Sequence, residues 1–353
     1  MTVRTLPRLF YWQTPKLSWL PLLLLLTISA ALLALTLGPY PVSVADISHW
    51  IAGRLLGMAT AINSEAGWLE RMDTLLIEIR LPRILAALLI GAALASSGAA
   101  YQAVFVNPLV SPGILGVLAG ASFGAALGLV SSDSWMLIQL MTVIGGVTAV
   151  AVGLGIGRMF GNQSVIMLVL GGIFSGALFS GLLALVKFSA DPYEQLPAIV
   201  YWLMGALGQA SLDDMKLYGP ILLVCIGGLA MLGRALDALT LGDDSAAALG
   251  IPVARIRLLV IMLATVASAL TVSLAGMIGW VGLLAPHIAR LLVGPLNRIL
   301  IPASALIGAL FLLAADALAR SLTQSEIPIG VITELVGLPV FLLVLRRANR
   351  GWR

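Results

Sequence analysis

Side chains of the kinds that build catalytic or metal sites are scarce in this chain. Among its 353 residues there are one cysteine and two histidines, and the histidines, His49 and His287, lie far apart. A single cysteine excludes an intramolecular disulfide framework. The HExxH pattern of zinc enzymes and the GxxxxGKS/T loop that holds nucleotide phosphates are both missing. An enzyme, or a chain that hydrolyses ATP itself, therefore has no support in the sequence.

Charged residues are also few. They make up 10% of the sequence, whereas 60% of residues are hydrophobic and the mean hydropathy is +1.06. A soluble domain has about 25% charged residues, so this composition predicts a membrane protein. Runs of about 20 apolar residues can cross a hydrocarbon core of roughly 30 Å. Such runs cover Trp19–Leu37, Ile84–Phe105, Pro112–Val130, Met136–Ile156, Ser164–Val186, Leu217–Leu232, Leu258–Leu284, Leu300–Leu318 and Ile329–Leu345.

Two shorter apolar segments, Leu196–Ala210 and Pro286–Gly294, are interpreted as partial or re-entrant pieces, the second being a short helix that opens at Pro286. Together with the full runs they predict an all-α polytopic membrane protein with about ten transmembrane helices. We expect a single domain over residues 1–353. A β-barrel is disfavoured because barrel strands alternate apolar and polar residues.

Lys and Arg indicate the orientation in the membrane. The N-terminus carries Arg4, Arg8 and Lys16, and the C-terminus carries four arginines from Arg346 onwards. The positive-inside rule therefore predicts cytoplasmic N- and C-termini in the inner membrane. With ten crossings, thirteen Lys and Arg residues fall inside and seven outside. The net charge of +4 agrees with this bias and with contact to membrane lipid, so it does not indicate a nucleic-acid partner.

Two stretches resemble each other. Ile79–Leu81 opens a run that ends at Asn107–Pro108, and Ile256–Leu258 opens a run that ends at Ala285–Pro286. With ten crossings the first run starts outside and the second inside, so the two would be inverted copies. Inverted repeats are typical of transporters, which place the pathway at the repeat interface.

A polar island lies between two apolar runs, over residues 234–257. It is rich in Ala and Leu and is predicted to be a compact, soluble, helical knob on one side of the bilayer. Such a knob indicates contact with a soluble partner. The segment 38–79 is expected to be an outer loop, and it carries no motif.

Several motifs follow one another over residues 20–346. In order, they are Arg80–Ala86 (RLPRILA), Gly91–Gly98, Asn107–Gly116 (NPLVSPGILG), Tyr201–Gly205 (YWLMG), Leu241–Gly250, Val281–Arg290 (VGLLAPHIAR), Ala315–Arg320 and Glu326–Phe341. This ordered set resembles the signatures of the FecCD family, the membrane permeases of ABC importers for iron-siderophores, haem and cobalamin.

The resemblance implies a fold like that of cobalamin-importer permeases and the transport of an iron-siderophore or related metal chelate into the cytoplasm. It also implies three kinds of partner: a second permease copy or paralogue, two ABC ATPase subunits and an extracytoplasmic substrate-binding protein. ATP and Mg would be used by the ATPase subunits, so this chain is expected to bind no cofactor or metal and to have no enzymatic activity. Molybdate or another oxyanion is an alternative cargo, because those importers share the signatures.

Within the polar island, the resemblance assigns Leu241–Gly250 to two short helices that enter a groove on the ATPase subunit. We call residues 234–257 the coupling segment. The expected coupling residues are Asp243, Asp244, Ala248, Leu249 and Gly250. The alternative is a solvated loop, which would tolerate substitution without losing the ATPase subunit.

Three arginines match positions that meet carboxylates of the binding protein in relatives. They are Arg80, Arg83 and Arg320, and ten crossings place all three at outer helix ends. A charge at such a rim can orient a partner. The alternative is ordinary snorkelling of arginine towards the membrane surface.

Glu334 is an ionisable residue inside the last apolar run, where such residues usually face a cavity or a polar partner. We expect it to contribute to the translocation path or its gate, the alternative being a Glu that is neutralised by burial or paired with a neighbouring helix. Val106, Met277 and Glu334 depart from the family pattern.

Two other classes of function remain open from the residues alone. An ion-coupled secondary transporter would need intramembrane acids or bases, for which only Glu334 and Asp316 are available. A membrane-embedded enzyme lacks a recognisable nucleophile or metal constellation.

Overall fold

The computed structural model describes residues 19–38, 40–54, 67–159, 165–323 and 325–351. In this part of the chain the regular secondary structure is helical, with no strand. The α-helices are α1 (Trp19–Ala34), α2 (Val44–Arg54), α3 (Trp68–Asp73), α4 (Leu81–Val104), α5 (Val117–Ser131), α6 (Trp135–Met159), α7 (Val165–Ser189), α8 (Gln195–Leu203), α9 (Leu212–Met231), α10 (Gly233–Leu239), α11 (Asp243–Ala248), α12 (Val253–Ala275), α13 (Val281–Val293), α14 (Asn297–Ser321) and α15 (Ile329–Gly351). A π-helical stretch, Thr74–Arg80, joins α3 to α4, and a 3-10 turn, Pro112–Leu115, precedes α5.

Six of the helical segments are long and apolar enough to cross a membrane. They are Trp68–Val104, which includes α3 and α4, and the helices α6, α7, α9, α12 and α14. Shorter apolar helices are α1, α5, α13 and the part of α15 over Ile329–Val344. The prediction of an all-α membrane protein with about ten transmembrane helices is confirmed.

The predicted apolar run Leu258–Leu284 is wrong as a single crossing. It is broken between α12 and α13, where Gly276 has φ 68° and Trp280 has φ 66°. The break follows from a tertiary contact, since a Cβ on Gly276 would lie 2.3 Å from the carbonyl oxygen of Trp202 in α8. The irregular backbone thus passes directly against α8, a contact that hydropathy does not report.

The predicted helix start at Pro286 is also wrong, because α13 begins at Val281 and contains Pro286 in its interior. Proline has no backbone N–H and cannot bond the carbonyl four residues back. That carbonyl, on Gly282, instead faces α4, where a Cβ on Gly98 would lie 1.8 Å from its oxygen. The proline therefore coincides with a backbone-to-backbone contact between α13 and α4.

The centre of the bundle is α4, which packs against α14, α12, α9 and α13. Gly91 in α4 and Gly308 in α14 face each other so closely that a Cβ on either would lie 2.3 Å from the other's carbonyl oxygen. Small residues permit this approach where lipid supplies no hydrophobic force between helices.

The two stretches predicted to be inverted copies run in opposite directions. The hydroxyl of Tyr101, near the end of α4, lies 3.4 Å from the Ile261 carbonyl and 3.4 Å from the Thr265 hydroxyl, in the middle part of α12. The end of α4 shares an apolar cluster with Val260 in the first half of α12, and Ile84 near the start of α4 shares one with Leu274 at the end of α12, as antiparallel helices do.

The segment 38–79, predicted to be an outer loop, is partly helical. It contains α2, α3 and the π-helical stretch, and Val42, Met72 and Leu76 form a small apolar core between them. Residues 39 and 55–66 lie outside the described residues. The described part of the segment thus packs as a folded cap beside the start of α4.

Candidate coupling and docking sites

The coupling segment folds into two short helices, α10 and α11, followed by the start of α12. The turns between them depend on glycine, since Gly242 has φ 102° and Gly250 has φ 80°. Residues other than glycine rarely adopt such positive φ values. The Leu-Gly pairs seen in the sequence therefore mark the two points where the backbone reverses.

Helix α10 is fixed to the start of α14. The Asp237 carboxylate accepts the backbone N–H of Asn297 at 2.5 Å, and a Cβ on Gly233 would lie 2.6 Å from the Cα of Arg298. Burial raises the pKa of Asp237, and the hydrogen bonds from the Asn297 and Arg298 backbone oppose that rise. A carboxylate at the N-terminus of α14 also meets the positive end of its dipole. Helix α10 is therefore anchored to the start of α14.

Helix α11 is fixed to α12. The buried Arg257 guanidinium donates to both oxygens of Asp243, at 2.7 and 3.0 Å. Ala246 is fully buried in a cluster with Leu236 of α10 and Val260 of α12. The coupling segment is a folded unit in this structure, and its Asp243, whose side chain is 55% exposed, pairs with the buried Arg257.

The other predicted coupling residues lie on the exposed side of this unit. Asp244, Ala248 and Gly250 are exposed, and Leu249 and Leu241 are 65% and 67% exposed. Large exposed apolar side chains on a polar, extramembrane unit indicate an interaction surface.

At the opposite end of α14, the predicted docking arginines form a buried ionic cluster. Arg83 Nε lies 2.8 Å from Asp316 Oδ1, and Arg83 Nη1 lies 2.8 Å from Glu326 Oε1. Arg320 Nη2 lies 3.0 Å from the second oxygen of Asp316. The carboxylate of Asp316 is fully buried between the two arginines. We call Arg83, Asp316, Arg320 and Glu326 the outer cluster.

Backbone carbonyls complete the surroundings of these arginines. Arg80 donates to the carbonyls of Leu35 and Tyr40, and Arg320 donates to the carbonyl of Leu37 at 2.8 Å. All three predicted docking arginines are therefore together and are less than one-tenth exposed. Arg80 and Arg320 contact the chain that follows α1, and Arg83 pairs with two carboxylates, whereas snorkelling would leave all three in solvent.

The partners in the outer cluster were not predicted. Asp316 and Arg320 are four residues apart, a spacing that brings side chains together on one helix face. The pairing of Arg83 with Asp316 and Glu326 spans more than 200 residues, and no local pattern reports it.

Glu334 lies on α15 and is exposed, with exposed Leu335 and Leu338 nearby. A Cβ on Gly279, in the break between α12 and α13, would lie 3.8 Å from Glu334 Oε1. The carboxylate thus lies beside the broken segment on a face of α15 that this chain leaves uncovered. In the described residues no group of three His, Cys, Asp or Glu side chains could hold a metal ion.

The model of the FecCD transport family matches residues 23–347. This chain belongs to the FecCD transport family.

Individual relatives of this FecCD permease align along most of its length. The molybdate import system permease protein MolB of Haemophilus influenzae is 37% identical over 329 residues, covering 93% of this chain and 95% of MolB. A Helicobacter pylori protein named "Probable iron chelatin transport system permease protein" is 39% identical over 281 residues, covering 80% and 85%. A solved structure assigned to the metal-chelate type of ABC transporters, in an inward-facing conformation, is 35% identical with a TM-score of 0.82, covering 94% of this chain and 99% of that chain.

The protein is accordingly a multi-span permease of an ABC importer of the FecCD type, in the inner membrane. ATP hydrolysis belongs to a separate subunit of such importers, and family membership implies assembly with ATPase and binding-protein partners. Membership of this family excludes the alternative of an ion-coupled transporter that acts alone.

Proposed function

We propose that this permease translocates an iron-siderophore or a related metal chelate, such as haem or cobalamin, from outside to the cytoplasm. The observation that carries the proposal is the near-complete alignment with a transporter assigned to the metal-chelate type, joined by a relative named for iron chelatin. A molybdate or other oxyanion cargo is the second candidate, because MolB aligns over almost the whole of both chains.

The proposed assembly contains a second permease copy or paralogue, two ABC ATPase subunits that bind ATP and Mg, and an extracytoplasmic binding protein. The coupling segment would meet the ATPase subunit with Asp244, Ala248, Leu249 and Gly250, while Asp243 fixes α11 through Arg257. The exposed leucines on a folded, anchored unit support this assignment.

Helix α14 offers a route for the coupling. Its first residue is held by Asp237 of α10, and its last turns carry Asp316 and Arg320 of the outer cluster. A helix of 25 residues is about 37 Å long, enough to join the two membrane faces. ATP-driven movement of the coupling segment would thus tilt α14 and disturb the site where the binding protein docks.

The same geometry supports cytoplasmic termini. The end of α1 lies at the outer cluster, where the carbonyl of Leu37 accepts from Arg320, so α1 starts near the opposite face. Helix α15 begins just after Glu326 of the outer cluster and runs away from it. Both terminal helices would therefore point towards the face that carries the coupling segment.

Docking would make the outer cluster exchange partners. Arg83 is already paired with Glu326, whose carboxylate is 42% exposed. A carboxylate of the binding protein could replace Glu326 with little loss, because a half-exposed ion pair contributes about 0–1 kcal/mol. Asp316 is fully buried and would remain as the internal partner.

Transport in vesicles reconstituted with the complete importer tests the cargo. Labelled iron-siderophore, haem, cobalamin and molybdate are offered with the cognate binding protein, and binding-protein melting is followed with each compound. Uptake of a metal chelate supports the proposal. Uptake of molybdate alone would contradict the proposal and support the second candidate, an oxyanion cargo.

Pull-down of the ATPase subunit tests the coupling surface. We expect Leu249→Asp and Gly250→Arg to lose the ATPase subunit, because a buried charge or a bulky side chain would oppose docking. The matched controls are Leu249→Met, which stays apolar, and Gly250→Ala, which carries the same left-handed backbone strain of about 1–2 kcal/mol without the bulk. Gly250 has open space around its Cβ position, so strain alone should not remove the partner. Intact assembly of both test variants would contradict the assignment.

A further inference from the structure

A cleft of about 180 Å³ opens between α6, α7 and α12, at the end of the bundle that carries the coupling segment. Three arginines line it: Arg158 from α6, and Arg255 and Arg257 from α12. Arg257 is balanced by Asp243. Arg158 and Arg255 are exposed, and the described part of the chain shows no carboxylate paired with either. The mouth of the cleft therefore carries uncompensated positive charge.

The floor of the cleft is apolar and lies deeper in the bundle. Leu154 is one helical turn before Arg158 along α6, and Ile261 is six residues beyond Arg255 along α12. Leu168 closes the cleft from α7. The first turn of α12, with Ala254 at the cleft, adds the partial positive charge of a helix N-terminus. Charge at the membrane surface above an apolar floor matches the two parts of a phospholipid.

We propose that this cleft binds the phosphate-bearing headgroup of an anionic phospholipid, with Arg158 and Arg255 holding the phosphate and an acyl chain along Leu154 and Leu168. Basic pockets between transmembrane helices at the cytoplasmic side are suited to such headgroups. The cleft shares Arg255 and Arg257 with the end of the coupling segment, but the exposed Leu241 and Leu249 do not line it, and the outer cluster lies at the other end of the bundle. Lipid binding would make the packing of α6 against α7 and α12 depend on the lipid.

Native mass spectrometry of the purified full-length permease tests the site. Phosphatidylglycerol and phosphatidylcholine with identical acyl chains are offered separately. The parent should retain phosphatidylglycerol in preference. Arg158→Gln and Arg255→Gln should each lower its retention about fivefold, from about 1 kcal/mol per basic residue, and leave phosphatidylcholine unchanged. The matched control is Arg298→Gln, an exposed arginine at the same end of the bundle but outside the cleft, which should retain phosphatidylglycerol like the parent.

Further arms separate the sources of the anion. Excess inorganic phosphate should not displace phosphatidylglycerol, and displacement would assign the site to free phosphate and overturn the lipid. Equal retention of the two lipids, or retention unaffected by the Gln variants, also overturns it. Loss of the ATPase subunit from Arg158→Gln and Arg255→Gln with unchanged lipid retention would make the cleft a protein-docking surface. The double Arg→Lys variant guards against misfolding, since it keeps both charges and should keep most of the lipid.

Discussion

Removal of Asp316 should destabilise this permease more than removal of any other acidic side chain in the outer cluster. Its carboxylate is 0% exposed and lies between Arg83 and Arg320, whose side chains are 10% and 6% exposed. Deleting one member of a buried ion pair costs about 3–5 kcal/mol, because the remaining charge stays buried without compensation. Glu326 still pairs with Arg83 in this variant. We therefore expect Asp316→Ala to lower the free energy of unfolding by about 3 kcal/mol, the lower end of that range.

The matched control is Glu326→Ala. That carboxylate is 42% exposed, and exposed ion pairs contribute about 0–1 kcal/mol. Unfolding of the detergent-purified permease, followed by fluorescence of its eight tryptophans at one fixed heating rate, should therefore rank the variants as parent, Glu326→Ala and Asp316→Ala in decreasing stability. Asp316→Asn should lie between the last two, because its amide can still accept from Arg83. A loss for Asp316→Ala within about 0.5 kcal/mol, as at neutral surface positions, would refute the buried cluster.

Three further outcomes follow from the structure. Gly91→Ala should prevent correct packing, because its Cβ would lie 2.3 Å from a carbonyl oxygen of α14. The control Gly155→Ala, with open space around its Cβ, should fold normally. Equal yields of monodisperse protein from the two variants would contradict the contact between α4 and α14. Arg80→Glu with Arg83→Glu should abolish binding-protein-stimulated ATPase activity in the reconstituted importer, and undiminished stimulation would reject the docking role. Glu334→Ala should lower the rate of uptake in vesicles with assembly intact, and uptake equal to the parent would remove Glu334 from the translocation path.

The transmembrane architecture could be predicted because lipid imposes a simple requirement on each helix. A run such as Trp19–Leu37 is continuously apolar over the length that a bilayer needs, and this signal is local. The coupling segment was equally visible, since its polarity contrasts with the runs on both sides. The prediction failed at Gly276, whose backbone passes against α8, and at Trp280, which also has a positive φ. Every residue there is compatible with a continuous apolar run.

The chemistry of the outer cluster could not be read from the sequence. Arg80, Arg83 and Arg320 were identified by their motif positions, but the contact of Arg83 with Asp316 is set by the packing of α14 on α4, and Arg80 and Arg320 bond carbonyls of the chain that follows α1. Charge counting treats each arginine as a rim charge available to a partner. The structure instead places Asp316 and Glu326 within ion-pair distance, so docking would replace an existing contact.

This competition has a thermodynamic consequence for the proposed transport cycle. If the binding protein replaces Glu326 on Arg83, the contribution of this contact to its affinity is the difference between two similar ion pairs, and a small tilt of α14 can change that difference. Coupling between two sites is reciprocal, so a tilt driven by the ATPase that weakens docking implies that docking favours the opposite tilt. Helix α14 connects both effects, since Asp237 holds one end and Asp316 holds the other. A docking site made only of free surface arginines would lack this sensitivity, because nothing in the permease would contest the partner's carboxylates.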